Sequence, residues 1–245
     1  MPAPSPGHSQ AKQGPAKARS RQATDLVSRP GRLRDDVAWL YREAGTRGLI
    51  VGSSGNVSGQ APDGMIITPS GADPDTIPDL VALSLDGVVV DEGTPSSEWA
   101  MHAAVYRVCH EAAFVVHTHA DACTALACLG LELPAFHYMV VQFGGMNVRC
   151  APYATFGTAA LADVVAEAIR GRSACLLANH GMIVCAATAA QALSRAMLLE
   201  TLCRQYLLAL SAGTPRLLTK QEMLDARERF KIYGPSRPSP VPPPS

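Results

Sequence analysis

The chain has 245 residues, 47% hydrophobic and 17% charged, with 21 basic side chains balanced by 21 acidic ones. This is enough apolar material for a sizeable core, while zero net charge excludes the global basic character of a nucleic-acid binder. No apolar run reaches the roughly 20 residues that cross a bilayer and no secretory stretch follows the start, so a cytoplasmic location with neither membrane nor nucleic-acid partner is expected.

Residues 1–30 are rich in Pro, Ser, Gly, Ala and Gln, with no acid before Asp25. They read as a disordered basic, Pro-rich extension, because such a segment buries too little apolar surface to offset its ordering entropy. Residues 235–245 read as a second Pro-rich tail, and 31–234 as one domain without internal repeats. Within it, apolar spacing predicts a helix over 35–45 (Val37, Leu40, Tyr41, Ala44), a strand over 64–68, and two strands between Val81 and Val90 around an Asp86-Gly87 turn. A helix is predicted over 97–109, a strand over 113–118, a small helix over 119–129 and a short strand over 148–150. Further helices are predicted over 158–170, 189–212 and 220–232, and strands over 174–178 and 182–186 bracket an Asn179-His180-Gly181 turn. Helices before and after early hairpin strands imply an α/β fold, a three-layer α/β/α arrangement with a central mixed, mainly antiparallel sheet. The seven cysteines include no C-x-x-C pair and mostly sit in apolar segments, the pattern of reduced, packed thiols rather than a disulfide framework.

The densest chemistry lies in Val115-Val116-His117-Thr118-His119. Alternating side chains along a strand put His117 and His119 on one face, close enough to chelate one divalent ion. Another apolar strand ends at His180, and Ser96-Ser97-Glu98 opens a helix. Three imidazoles and a carboxylate form an N3O set suited to zinc or a similar divalent transition metal, such as Mn2+ or Co2+. The serines also have a plainer reading, in which one caps the helix and Glu98 is a favourable first-turn anion. The same helix start offers N–H and hydroxyl donors to phosphate, as do the turns Gly52-Ser53-Ser54-Gly55-Asn56 and Thr68-Pro69-Ser70-Gly71. His102 and His110 read as structural or solvent-facing and Trp99 as core, while His137 adjoins Tyr138, where a supporting role is the lesser of its two readings.

Several motifs together resemble the class II aldolase/adducin family, in its L-fuculose-1-phosphate aldolase branch. They are Gly55-Asn56-Val57-Ser58, Ile67-Thr68-Pro69-Ser70-Gly71, Pro95-Ser96-Ser97-Glu98-Trp99, His117-Thr118-His119 and Asn179-His180-Gly181. Longer and more specific are Pro134-Ala135-Phe136-His137-Tyr138-Met139, the run from Cys150 to Thr158, and Phe230-Lys231-Ile232-Tyr233-Gly234. The resemblance covers about residues 35–234. It implies Zn2+ held by Glu98, His117, His119 and His180, a sugar phosphate held by Gly55, Asn56, Ser70, Gly71, Ser96 and Ser97, and a homotetramer with active sites at subunit interfaces. It further implies Tyr138 as proton donor toward the aldehyde half and Tyr233 closing the site. The reaction implied is reversible cleavage of a ketose 1-phosphate to dihydroxyacetone phosphate and a short aldehyde, with Glu98 exchanging a proton at C3.

This superfamily also performs epimerisation, dehydration and decarboxylation, so a metal-dependent decarboxylase or dehydratase is the alternative. Glu98 stands where the pentulose-phosphate epimerase branch carries aspartate. Gln142-Phe143 replaces residues typically small in the fuculose branch. If these side chains reach the aldehyde pocket, a 5-deoxyribulose or methylthioribulose 1-phosphate becomes an attractive substrate. A non-catalytic, adducin-like scaffold would have lost the metal ligands, which are all present.

Overall fold

The computed structural model describes residue 1, residues 30–76 and residues 79–233. The remainder of the expected extension, the Pro-rich tail and Gly234 lie outside the described residues. In chain order the elements are α1 (Pro30–Thr46), β1 (Gly55–Ala61), β2 (Gly64–Ile67), β3 (Val81–Leu83), α2 (Trp99–Val108), β4 (Phe114–Thr118) and α3 (Asp121–Cys128). A 3-10 turn at Tyr138–Phe143 precedes β5 (Cys150–Ala151), α4 (Ala159–Ile169), β6 (Ala174–Leu177), β7 (Gly181–Ala186), α5 (Ala189–Ala212) and α6 (Lys220–Lys231).

The strands form one seven-stranded sheet in the order β3-β2-β1-β4-β7-β6-β5. Every pairing is antiparallel except β5 with β6, which is parallel. Alternation along the pleat sends successive residues to opposite faces, and the core divides accordingly. Val116, Leu176, Met182 and Val184 pack with α1, α3 and α5 on one side. Val115, Cys175, Leu177, Ile183 and Cys185 pack with α2 and α4 on the other. The result is the three-layer α/β/α architecture, and the odd-numbered residues of β4 face α2.

Four details depart from the pattern-based expectation. Residues 55–61, the first two of which the sequence presents only as part of a turn, form β1: two glycines and three uncharged polar residues give weak strand propensity, but pairing to both β2 and β4 overrides it. Of the two strands expected between Val81 and Val90 only β3 forms, the return segment contributing a single bridge, Leu83 to Val89. α1 begins at Pro30, five residues earlier than the apolar spacing indicated, with proline in the opening turn where its missing N–H costs nothing. The 3-10 turn beginning at Tyr138 has no periodic signal; His137 caps it by accepting from Met139 N. Among the described residues, no helix is long and apolar enough to cross a membrane.

Candidate metal centre and substrate cavity

Four elements converge on one point. β4 carries the buried His117 at its end, and His119 follows one residue past Thr118. β6 and β7 are joined by a tight turn whose Asn179 adopts a left-handed φ of 56°, presenting His180 alongside. Gly181 must be glycine at this crossing, since a Cβ there would lie 2.4 Å from the Thr118 carbonyl oxygen and 3.0 Å from the His119 ring. Glu98 is the N-cap residue of α2; no serine caps that helix, although Ser96 Oγ accepts from Glu98 N at 3.3 Å. The capping interpretation of Glu98 is thus too modest: its side chain points inward and is buried.

The geometry of these four groups suits a cation. His117 Nε2 lies 3.0 Å from His119 Nε2 and 3.2 Å from Glu98 Oε2, and His180 Nε2 lies 3.3 Å from Glu98 Oε1. A tetrahedron with metal–imidazole bonds of about 2.0–2.1 Å has edges of roughly 3.3–3.4 Å, close to these separations. His117 Nδ1 donates to the Met182 carbonyl at 2.8 Å, so in the neutral ring Nε2 carries a lone pair aimed at the centre. Glu98 Oε1 is buried with no hydrogen-bond partner despite its nearness to His180, an orphaned acceptor that a bound cation would satisfy. All four ligand atoms lie within 4.8 Å of one another, and the group can hold a metal ion.

Electrostatics agree. In the metal-free site burial pushes the Glu98 carboxyl up, but its electrostatic interaction with His117 and the polar contacts of His117, His180 and Asn56 outweigh it and hold the group well below the usual carboxylate range. Burial, then the neighbouring His117 and His180, lowers His119 to about 4, so it is neutral and ready to ligate at physiological pH.

Beside this centre opens a cavity of about 520 Å³ lined by Gly55, Asn56, Ser70, Gly71, Ser96, Ser97, Glu98, His119 and His180. All six residues expected to hold phosphate therefore line one cavity: Gly55 and Asn56 open β1, and beside them lie the 68–71 and 95–97 loops, joined by the bridge between Pro69 and Pro95 and by Ser96 N donating to Thr68 O at 3.1 Å. The cavity contains no lysine or arginine among its described lining residues, and its donors are hydroxyls and backbone amides. Tyr153, Phe156 and Asn179 also line it. The two aromatics are exposed on the glycine-ended loop before α4, within the run from Cys150 to Thr158 that the sequence already singles out as a motif.

Other expected residues lie elsewhere in the chain. Tyr138 and Tyr233 line a separate cavity of about 370 Å³ with Met139, Ala226, Arg229 and Phe230. There Tyr138 stacks on His137, with ring centres 4.7 Å apart, and on Phe230 at 5.9 Å. Within one chain, neither tyrosine lines the Glu98 cavity. Phe143 is fully buried and Gln142 lines a third cavity with His110 and Arg172, so neither reaches the Glu98 cavity from its own chain. His102 is structural, as expected, but it sits directly behind Asn56, which in turn contacts Glu98.

Fold and site define an α/β protein with a Glu/His3 group that could hold a metal ion beside a serine- and glycine-lined cavity. The model of the class II aldolase and adducin N-terminal domain matches residues 35–207, and the chain belongs to this family. It is 44% identical to the 5-methylthioribulose-1-phosphate/5-deoxyribulose-1-phosphate aldolase of Rhodospirillum rubrum, over 86% of this chain and 96% of that protein. It is 43% identical to the L-fuculose phosphate aldolase of Escherichia coli O6:H1, over 76% of this chain and 88% of that one. A solved L-fuculose 1-phosphate aldolase superposes with a TM-score of 0.79 at 36% identity, covering 84% of this chain and 99% of its own. Like these relatives, the chain is an aldehyde-lyase.

Proposed function

We propose that this protein is a zinc-dependent aldolase that reversibly cleaves a ketose 1-phosphate to dihydroxyacetone phosphate and a short aldehyde, working in the cytoplasm as a homotetramer. The observation that carries the reading is the joining of a Glu/His3 cluster to a cavity lined by three serine- and glycine-bearing loops. Zinc held by Glu98, His117, His119 and His180 would supply Lewis acidity to the oxygens of the substrate's C2 and C3, stabilising the charge left when the C3–C4 bond breaks.

The remaining work falls to the chain. Backbone amides and hydroxyls around Gly55, Asn56, Ser70, Gly71, Ser96 and Ser97 bind the phosphate, and that remote binding orients the reacting carbons. Glu98, ionised at rest, removes the C3 proton in synthesis; in cleavage it first takes up a proton from solvent and then delivers it to C3. Tyr138 donates its phenol proton to the C4 oxygen in synthesis and, as the phenolate left when that proton has gone to solvent, takes the C4 hydroxyl proton in cleavage. Because Tyr138 and Tyr233 lie away from Glu98 in their own chain, a neighbouring subunit brings them to the site. An unphosphorylated acid would call for arginine in the cavity, which favours the aldolase over a decarboxylase.

The test is a cleavage assay on zinc-loaded protein with fuculose 1-phosphate, 5-deoxyribulose 1-phosphate and methylthioribulose 1-phosphate, following dihydroxyacetone phosphate. Release from at least one sugar, reduced by about 100-fold or more in Glu98→Gln, is expected for loss of a general acid–base. Zinc-bound protein that releases nothing from any of the three would overturn the reading in favour of a decarboxylase or dehydratase.

A further inference from the structure

Behind Glu98 lies a line of buried side chains that the reaction as described leaves unused. Asn56 Nδ2 lies 3.0 Å from Glu98 Oε2, Asn56 Oδ1 2.6 Å from His102 Nε2, His102 Nδ1 2.7 Å from Ser58 Oγ, and Ser58 Oγ 2.7 Å from Tyr106 Oη. All five residues are buried, Ser58 and His102 fully. Their placement follows from two periodicities. Glu98, His102 and Tyr106 are spaced by four along α2 and stack on one face, while Asn56 and Ser58 alternate onto the facing side of β1.

The direction of each hydrogen bond follows from the first. A carboxylate only accepts, so Asn56 turns its amide nitrogen to Glu98 and its oxygen to His102. His102 must then donate from Nε2, which leaves Nδ1 as an acceptor for the Ser58 hydroxyl. Ser58 has given its single proton to that ring and must accept from Tyr106. Five residues thus form one chain with one polarity, running from the phenol to the carboxylate. Burial lowers His102 to about 3, consistent with the neutral ring that this order needs.

We propose that Asn56, His102, Ser58 and Tyr106 are positioning residues that pin Oε2 of Glu98 and so leave Oε1, the orphaned oxygen, as the atom that exchanges the substrate's proton. This rests on the aldolase reading above and deepens it. A carboxylate released from the cation when substrate arrives would otherwise be free to rotate about its terminal torsion, which is broad and roughly two-fold. Anchoring one oxygen keeps the other pointed at the reacting carbon. The same anchoring assigns the Asn56 side chain to Glu98, with the phosphate contacts resting on the neighbouring serines and glycines. Loss of the anchor affects the chemical step more than binding, so kcat falls and KM holds.

The experiment compares the full-length wild type with His102→Leu, His102→Gln and Tyr106→Phe. Each is measured for kcat and KM on the best sugar phosphate, and for the visible spectrum and affinity of bound Co2+. Glutamine offers an N–H at the position of the ring Nε2–H, whereas leucine offers none. The expected result is a drop of about tenfold or more in kcat for His102→Leu with KM changed by less than about threefold, and recovery in His102→Gln to within about threefold of wild type. The Co2+ spectrum shifts in His102→Leu and returns in His102→Gln. Tyr106→Phe keeps the core filled and lowers kcat several-fold, which decides the matter if His102→Leu does not fold. Unchanged kcat and Co2+ spectrum in the folded variants, or equal losses in both His102 variants, would overturn the proposal. If the wild type binds Co2+ but cleaves nothing, the aldolase reading has failed, and the Co2+ spectra alone still show whether the line of residues holds Glu98 in place.

Discussion

At the scale of single residues the site depends on groups that leave no slack. Gly181 sits where β7 passes the Thr118 carbonyl, and a methyl there would push strand and His119 apart. Gly181→Ala is expected to cost about 1–3 kcal/mol and to weaken Co2+ binding, seen by spectroscopic titration; unaltered affinity would show that the crossing yields easily. His102 makes stability depend on pH. Its folded-state value is lowered from 6.5 to about 3, so as pH falls through 6.5 the unfolded chain takes up a proton that the folded protein refuses. Stability from this group is therefore full above about pH 6.5 and is lost progressively toward pH 3. The thermal midpoint of metal-free protein should fall between about pH 7 and pH 5, more steeply in wild type than in His102→Gln; equal slopes would contradict it. The four metal-ligand candidates were legible in the sequence because each ends a strand or opens a helix in a short motif. The line through His102 was not, since its residues look ordinary alone, and only the four-residue spacing of Glu98, His102 and Tyr106 hints at it.

At the scale of elements, strongly apolar strands and amphipathic helices announced themselves, while elements fixed by their neighbours did not. β4 and β7 are runs of β-branched and apolar residues, and the α4 and α5 starts carry threonine caps, Thr158 and Thr188. β1 escaped notice because Gly55, Asn56, Ser58 and Gly59 are chosen for what passes close to them: a Cβ on Gly55 would lie 2.9 Å from the His117 carbonyl oxygen, and one on Gly59 would lie 2.6 Å from Leu33. The last helix shows local sequence acting at a distance. Thr219 and Glu222 form a reciprocal capping box at the start of α6, and that helix carries Phe230 against Tyr138. Thr219→Ala should cost about 1 kcal/mol, lowering the thermal midpoint by about 2–4 °C for a chain of this size. An unchanged midpoint would mean that α6 is held by its packing alone.

For the whole molecule, the separation of Glu98 from Tyr138 and Tyr233 has a consequence for assembly. If complete sites combine one chain's metal centre with a neighbour's tyrosines, two differently crippled chains can rescue one another. Co-expressed Glu98→Gln and Tyr138→Phe chains, each nearly inactive alone, should regain about one quarter of wild-type activity by random mixing in a closed oligomer. No recovery in a demonstrated mixed oligomer would place the whole reaction within one chain. The motif resemblance pointed to both tyrosines, but their distance from Glu98 within a chain could not be read from motifs, which record neighbours in sequence and not in space.

The most direct test of the central claim is a metal titration under turnover. Chelator-stripped protein is supplied with increasing Zn2+ while bound metal and dihydroxyacetone phosphate release from the preferred ketose 1-phosphate are measured together. Activity rising in step with bound zinc and saturating at about one ion per chain, as a single Glu/His3 site requires, is the predicted result. Full cleavage by metal-free protein, or zinc bound at that stoichiometry without cleavage of any ketose 1-phosphate, would contradict it.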